Sequence, residues 1–407
     1  MNENISSCSS KFSNKQIRLG IFAFYICQGI CFSSWASRIP DIKNYFHVGD
    51  GEWGNVLLMI PIGQILGMVL SGFLISRLGS KKVLLLALPL HVLGLIAVGL
   101  SSSLLTLMLS LVAFGFFGNF VNISVNTQGI IIENIYKKPI MSSFHGGWSL
   151  AGFFGSLIGL LMINLGLTPL QHYIFILFIV GILIIFNCKY LQPDKKSVSL
   201  ESNEKTVQSI QETNNKSYKK KTYPEMFLYL LGITAFCGMA SEGAMFDWSG
   251  IYFEEVVHVS KNWAPLGFAA FMIMMATGRF IADYAAQKWG KQRIIQVCGL
   301  SISIGLFIAV LFPHIIITTL SFMLIGLGVS SIIPTIYSLA GQKTKINTGM
   351  ALTIVSSIGF VGFLLGPPII GYISHAFNLR YSFALIGIFG ICIFLLSTYL
   401  KVFKQKD

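Results

Sequence analysis

Twelve stretches of about 20 mostly apolar residues run along this chain, each long enough to cross roughly 30 Å of hydrocarbon at 1.5 Å per helical residue. Their approximate spans are 17 to 38, 53 to 75, 82 to 100, 103 to 131, 140 to 165, 169 to 190, 225 to 250, 263 to 286, 292 to 312, 315 to 340, 347 to 374 and 380 to 402. Composition agrees: 54% of residues are hydrophobic and 11% charged, where soluble domains average about half and a quarter. An all-α membrane protein is expected, embedded in the bilayer as a multi-pass chain.

The basic residues orient it. With the N-terminus inside, only Arg38, Lys43, Lys261, Arg279 and Arg380 of the 29 Lys and Arg fall away from the inner loops and tails. The positive-inside rule then puts both termini in the cytoplasm of a cell whose inner membrane holds the chain. The formal charge of +13 is a cytoplasmic fringe facing anionic headgroups and calls for no nucleic acid. The polar N-terminal tail MNENISSCSSKFSNKQ and the length of the first span argue against a cleavable signal peptide. Seven cysteines show no CxxC or Cys/His spacing, so no metal and no cofactor is expected, and the thiols act as small hydrophobes.

Residues 191–224 are polar, charged and poor in large apolar side chains, the composition of a flexible linker. They separate an N-terminal six-helix bundle, 1–190, from a C-terminal one, 225–407. The halves read as repeats. Gly72 to Val83, GFLISRLGSKKV, superposes on Asp283 to Ile294, DYAAQKWGKQRI, pairing Arg77 with Lys288, Gly79 with Gly290 and Lys82 with Arg293. SSWAS in the first span parallels FDWSG in the seventh. A duplicated six-helix unit accounts for both matches.

Gly72-x3-Ser76-Arg77-x-Gly79-Ser80-Lys81-Lys82 resembles the loop 2 to 3 signature of the major facilitator superfamily, and the resemblance covers essentially the whole chain. It implies twelve transmembrane helices in two pseudo-symmetric six-helix bundles, with helices 1, 4, 7 and 10 lining a central cavity. Ser76 stands where an Asp is usual, so the gating ion pair attributed to that Asp does not carry over. RIPDI (Arg38 to Ile42), PIMSSFHGGWSLAGFFGS (Pro139 to Ser156), EGAMFDWSGIYF (Glu242 to Phe253), GRFIAD (Gly278 to Asp283) and GFLLGPPIIG (Gly362 to Gly371) are similar to the bacterial transporters related to fucose permease. That branch shows an acid in the fourth helix where this chain has Asn122, which shifts any proton-coupling role toward the seventh.

The seventh span carries two acids, Glu242 and Asp247, five residues apart and therefore about 140° apart around a helix. An acid near the bilayer centre costs about 2.5–3.5 kcal/mol on insertion scales, so it normally faces protein or a watery cavity. Glu242, nearer mid-membrane, suits a group that binds and releases a proton. Asp247, beside Trp248 and nearer the outer end, suits a solute or gate ligand, and the competing role for either acid is merely to pair with a cation or cap a local break at Gly243.

Asn119, Asn122 and Asn126 fall at i, i+3 and i+7 on the fourth span, one helical stripe, with Gln128 close behind. They supply donors and acceptors without charge, as hydroxyl-rich solutes need, or else they glue helices together. Gln28 and Trp35 on the first span and Tyr337 on the tenth extend the polar lining around Pro334. Trp35, Trp148 and Trp248 either stack on a sugar ring or anchor at the interface. His145, with an ordinary pKa of about 6.5, either relays protons or is a structural histidine. Arg38 and Asp41, Arg77, and Arg279 with Asp283 at i and i+4 are gate or strut candidates.

The expected function is secondary transport of a small polar, sugar-like solute with protons, as a monomer in the lipid bilayer and without enzymatic chemistry. A proton-coupled exporter of metabolites or drugs is the alternative of the same fold. A non-transporting membrane sensor is the alternative of another class.

Overall fold

The protein's structure, a computed structural model, describes residues 12–136, 140–193, 226–342 and 348–399. Both tails and nearly all of the linker expected at 191–224 lie outside the described residues. Among them, twelve helices are long and apolar enough to cross a membrane: α1 Asn14–Phe46, α2 Asp50–Leu78, α3 Ser80–Leu100, α4 Leu104–Tyr136, α5 Ser143–Asn164, α6 Pro169–Tyr190, α7 Met226–Glu255, α8 Lys261–Ala282, α9 Lys291–Leu311, α10 Ile315–Ala340, α11 Met350–Ala376 and α12 Leu379–Thr398. In lipid a helix satisfies every backbone N–H and C=O within its own segment, which is why apolar runs of this length fold this way.

Hydropathy underestimates two of these helices. α1 passes through Pro40 to Phe46, and α7 continues to Glu255. Their last turns carry Lys43, Asn44, Glu254 and Glu255, so the apolar signal stops before the backbone does. α10 is broken at Ser330 and Ser331. Pro334 has no N–H to offer the Ser330 carbonyl four residues back, and the helix opens there. The hydroxyl of Thr335 bonds the Ser331 carbonyl at 2.6 Å.

The repeat seen in the sequence has a backbone counterpart. Gly79 closes α2 with φ 84° and ψ 149°, and Gly290 closes the helix Pro265–Trp289, which continues α8 past the membrane span, with φ 81° and ψ 151°. Each turn reverses the chain in one residue, in a region of φ that a side chain strains.

Packing repeats as well. α1 packs on α5 and α2 on α4, as α7 packs on α11 and α8 on α10; α3 lies against α4 and α6, as α9 lies against α10 and α12. Between halves, α5 crosses α8 and α2 crosses α11, an exchange of equivalent helices that defines the pseudo-twofold axis. Large apolar side chains such as Val69, Ile185 and Phe178 remain exposed on the outside, where lipid replaces water.

The two ends differ. Phe12 packs on Tyr190 and Ser397 accepts a bond from Gln292, so both termini sit at one end of the bundle, with the α2–α3 and α8–α9 turns. At the far end the halves are latched. Lys43 of α1 pairs with Glu255 of α7, Asn44 bonds Glu254 at 2.9 Å, and Asn55 bonds Tyr372 at 2.9 Å. Gly54 of α2 faces the backbone of Pro367 and Pro368 on α11 with no room for a methyl group.

Candidate functional site

Between the halves lies a cavity of about 340 Å³, near the small end of the roughly 300–1,000 Å³ usual for small-molecule sites. The N-terminal half gives it amides: Gln28 from α1, Gln64 from α2, and Asn119 and Asn122 from α4. The C-terminal half gives it Glu242. Aromatic rings form much of the remaining wall. Phe32 lies edge-on to Phe246 with centroids 5.1 Å apart, and Trp148 sits 5.9 Å from Phe32 and 6.0 Å from Phe246.

Glu242 does not stand alone. Its Oε1 accepts a hydrogen bond from Arg279 Nη2 of α8 at 3.2 Å, and both side chains are largely buried. Arg279 Nη1 donates to Ser149 Oγ of α5 at 2.6 Å, and the guanidinium lies 5.7 Å from the Trp148 ring centroid. One guanidinium therefore joins the carboxylate of one half to a hydroxyl of the other. Arg279 thus makes a cross-helix fork, and the expected pairing of Arg279 with Asp283 within the same helix involves a side chain that lies outside the described residues.

The amide stripe is divided in use. Asn119 Oδ1 accepts from Ser71 at 3.3 Å, and Asn126 bridges Asn122 at 3.2 Å to the hydroxyl of Tyr25 at 2.8 Å. Asn119 and Asn122 keep part of their polar surface toward the cavity, while Asn126 holds α1 to α4. Gln128 is fully buried and bonds Ser80 and both backbone groups of Gln192, so it is a strut.

Other candidate residues are placed elsewhere. Trp35 is fully buried, stacked on Trp53 with centroids 6.5 Å apart, and Trp248 is fully buried in α7; neither lines the cavity, because each indole is taken up in helix packing. Asp247 is also absent from the lining and is nine-tenths buried. Gly243 and Gly250, on its stripe of α7, face Phe363 of α11 and Pro40 of α1, which sets Asp247 at the seam between halves. Tyr337 is half-buried and close enough to Glu242 to sense its charge. His145 is exposed, edge-on to Tyr25 at 5.8 Å, and senses Arg279.

The gate candidates separate in the same way. Arg38 donates to Asp41 at 2.7 Å, to the Leu167 carbonyl at 2.9 Å and to His172 at 3.3 Å. All three partners belong to its own half, so Arg38 and Asp41 brace α1 against the α5–α6 turn. Arg77 lies over the Phe73 ring at 4.1 Å. The ion pair that joins the halves at the far end is Lys43 with Glu255, which sequence reasoning passed over because both residues lie beyond the apolar run.

Gln64 and His91 also line the cavity unforeseen. Each is a lone polar side chain in an apolar span, and that rarity was the available signal. His91 faces the Phe114 carbonyl at 3.0 Å and stacks on the Phe114 ring. Among the described residues no cluster of His, Cys, Asp or Glu could hold a metal ion.

Comparison with known proteins fits this geometry. The Sinorhizobium fredii protein named "Uncharacterized transporter y4wD" is 27% identical over 94% of this chain and 97% of its own length. The crystal structure of the nucleoside transporter NupG superposes with a TM-score of 0.73 at 13% identity, over 95% of this chain and all of that one. That of a D-xylose-proton symporter superposes with a TM-score of 0.71 at 13% identity, over 96% and 98%. These two likenesses speak for the fold. Residues 20–346 match the Major Facilitator Superfamily, and the chain belongs to that family.

Proposed function

We propose that this transporter takes up a small polar, sugar-like solute together with protons, by rocking its two halves about the central cavity. The observation that carries the proposal is the Glu242 carboxylate in the wall of that cavity, ion-paired to Arg279 between the halves. A carboxylate there gains or loses a proton only at the cost of its partner, which ties protonation to conformation. The amides opposite it offer donors and acceptors to hydroxyl groups, and the Trp148 and Phe32 rings offer an apolar face.

With the basic end taken as cytoplasmic, the Lys43–Glu255 latch closes the outer side of a monomer in the inner membrane. On its sequence motifs we place the chain in the fucose permease-related branch. Exchange of the acid of that branch for Asn122 then leaves Glu242 as the proton carrier.

Purified protein in liposomes tests the proposal. Labelled hexoses and their derivatives should accumulate under an imposed pH gradient. Glu242→Gln should abolish accumulation yet retain exchange of labelled for unlabelled solute, which needs no net proton movement. Uphill uptake by Glu242→Gln at the native rate would sink the assignment. Binding without flux would favour a sensor, and chemical turnover of solute would mark an enzyme.

A further inference from the structure

The Arg279 guanidinium is largely buried and, among the described residues, contacts the Glu242 carboxylate, the Ser149 hydroxyl and the face of Trp148. Among the described residues Glu242 is its carboxylate partner. A guanidinium stays charged under all ordinary conditions. When Glu242 accepts the coupling proton, a hydroxyl and a π face do not neutralise the charge left behind, and an unpaired charge away from water is strongly unfavourable.

We propose that the solute supplies the missing anion: a polyhydroxylated monocarboxylate, of the chemistry of a sugar acid, whose carboxylate takes Arg279 as Glu242 is protonated. This rests on the proton-coupled transport reading above and names its substrate class.

Charge conservation at the site supports it. In the empty state Glu242 and Arg279 sum to zero. Glu242 then takes one proton and becomes a neutral acid, its ion pair to Arg279 is released, and the solute carboxylate pairs with Arg279. The sum is again zero. Among the described residues of the site, both states that must cross between outward and inward access are then neutral. A neutral sugar with a proton would leave the loaded site at +1. A guanidinium also matches a carboxylate in two parallel hydrogen bonds, a geometry no hydroxyl reproduces.

The remaining surroundings add no second fixed cation among the described residues. Tyr337 of α10 senses Glu242, and His145 of α5 senses Arg279. His91 of α3 lies across the cavity, engaged with the Phe114 carbonyl, while α1, α2 and α4 present neutral amides. These amides face the hydroxyl-bearing end of the solute, and the ion pair faces its acid end.

The test uses purified full-length protein with D-glucuronate and D-gluconate against D-glucose and sorbitol. Binding is measured by calorimetry, and proton exchange by an indicator dye in weak buffer. The acids should bind with uptake of one proton per solute, and the neutral compounds at least about tenfold more weakly, as expected for loss of a charged hydrogen bond. Glu242→Gln should bind the acids without proton uptake. Arg279→Gln should lose acid binding, and Arg279→Lys should keep part of it, each at a native melting temperature. Equal binding of glucose and glucuronate, acid binding without proton uptake by the native protein, or acid binding by Arg279→Gln at native strength would overturn the inference. Binding and transport of neutral sugars alone would overturn it while leaving the sugar-like reading intact. Binding of neither class, with stabilisation by large apolar cations, would remove both.

Discussion

Lys43 on α1 pairs with Glu255 at the end of α7 while also pairing with Asp50 of its own half, so one ammonium ties acids of both halves together at the far end. Ser374 of α11 donates to the same Asp50, and Asn44 bonds the neighbouring Glu254. The seal is polar at its rim and tightly packed beneath, where Gly54 and Gly371 bring α2 and α11 into backbone contact.

Removing that ammonium should open the far end. Lys43→Met leaves Asp50 and Glu255 without their shared partner, costing the latched state about 1.5–3 kcal/mol and shifting the equilibrium at least tenfold. Spin labels at Tyr45→Cys and Trp263→Cys, both exposed at this end, should report a longer distance. An unchanged distance distribution would show that apolar packing alone closes the seam.

The glycine seam gives a second handle. A Cβ at Gly54 would sit 2.9 Å from Pro368 Cα and 3.0 Å from the Pro367 carbonyl oxygen, and backbone atoms cannot turn aside as a side chain can. Gly54→Val should therefore bar closure while leaving each half folded. Its expected signature is retained solute binding with loss of uptake, checked by calorimetry alongside flux. Native uptake would mean that α2 and α11 separate at little cost.

Helix number, the duplicated halves and the correspondence of Gly79 with Gly290 were legible, because each depends on local properties such as run length and repeated motifs, whereas the one-residue turns those glycines make appeared only in the structure. The cavity was half legible. Glu242, Gln28, Asn119 and Asn122 declared themselves as polar groups in apolar spans, yet Trp35 and Trp248 carry the same signal and end in packing. What decides between lining and packing is the rotation of each helix against its neighbours, and that is set by contacts distant in the chain. The Glu242–Arg279–Ser149 fork was illegible for the same reason. Its members lie on α7, α8 and α5, and no local pattern in the sequence says that these three helices meet at those residues.

The amide-bearing helix α4 should separate binding from stability. Gln128 is fully buried with its bonds to Ser80 and Gln192, so Gln128→Ala should cost about 1–3 kcal/mol of stability and leave solute affinity alone. Asn122→Ala, at the cavity wall, should weaken solute binding with a melting temperature near native. Paired melting and calorimetry decide it; the opposite pattern would make Asn122 the strut.

Asp247 tests whether the protein keeps a destabilising group for use in another conformation. It is nine-tenths buried, and among the described residues it has no hydrogen bond or ion pair, while its stripe of α7 meets α1 and α11 at the seam. A buried polar group without a partner opposes folding. Asp247→Leu, which keeps the branched shape of the side chain and is fully apolar, should therefore raise the melting temperature of the latched state. Uptake should fall at the same time, because the carboxyl that is unpartnered here becomes available to solute or to a cation when the seam parts. Asp247→Asn, which keeps shape and some hydrogen bonding, should fall between the native protein and Asp247→Leu in both measures. A lower melting temperature for Asp247→Leu would show that the carboxyl already has a partner in the latched state, and native uptake would deny it any part in the transport cycle.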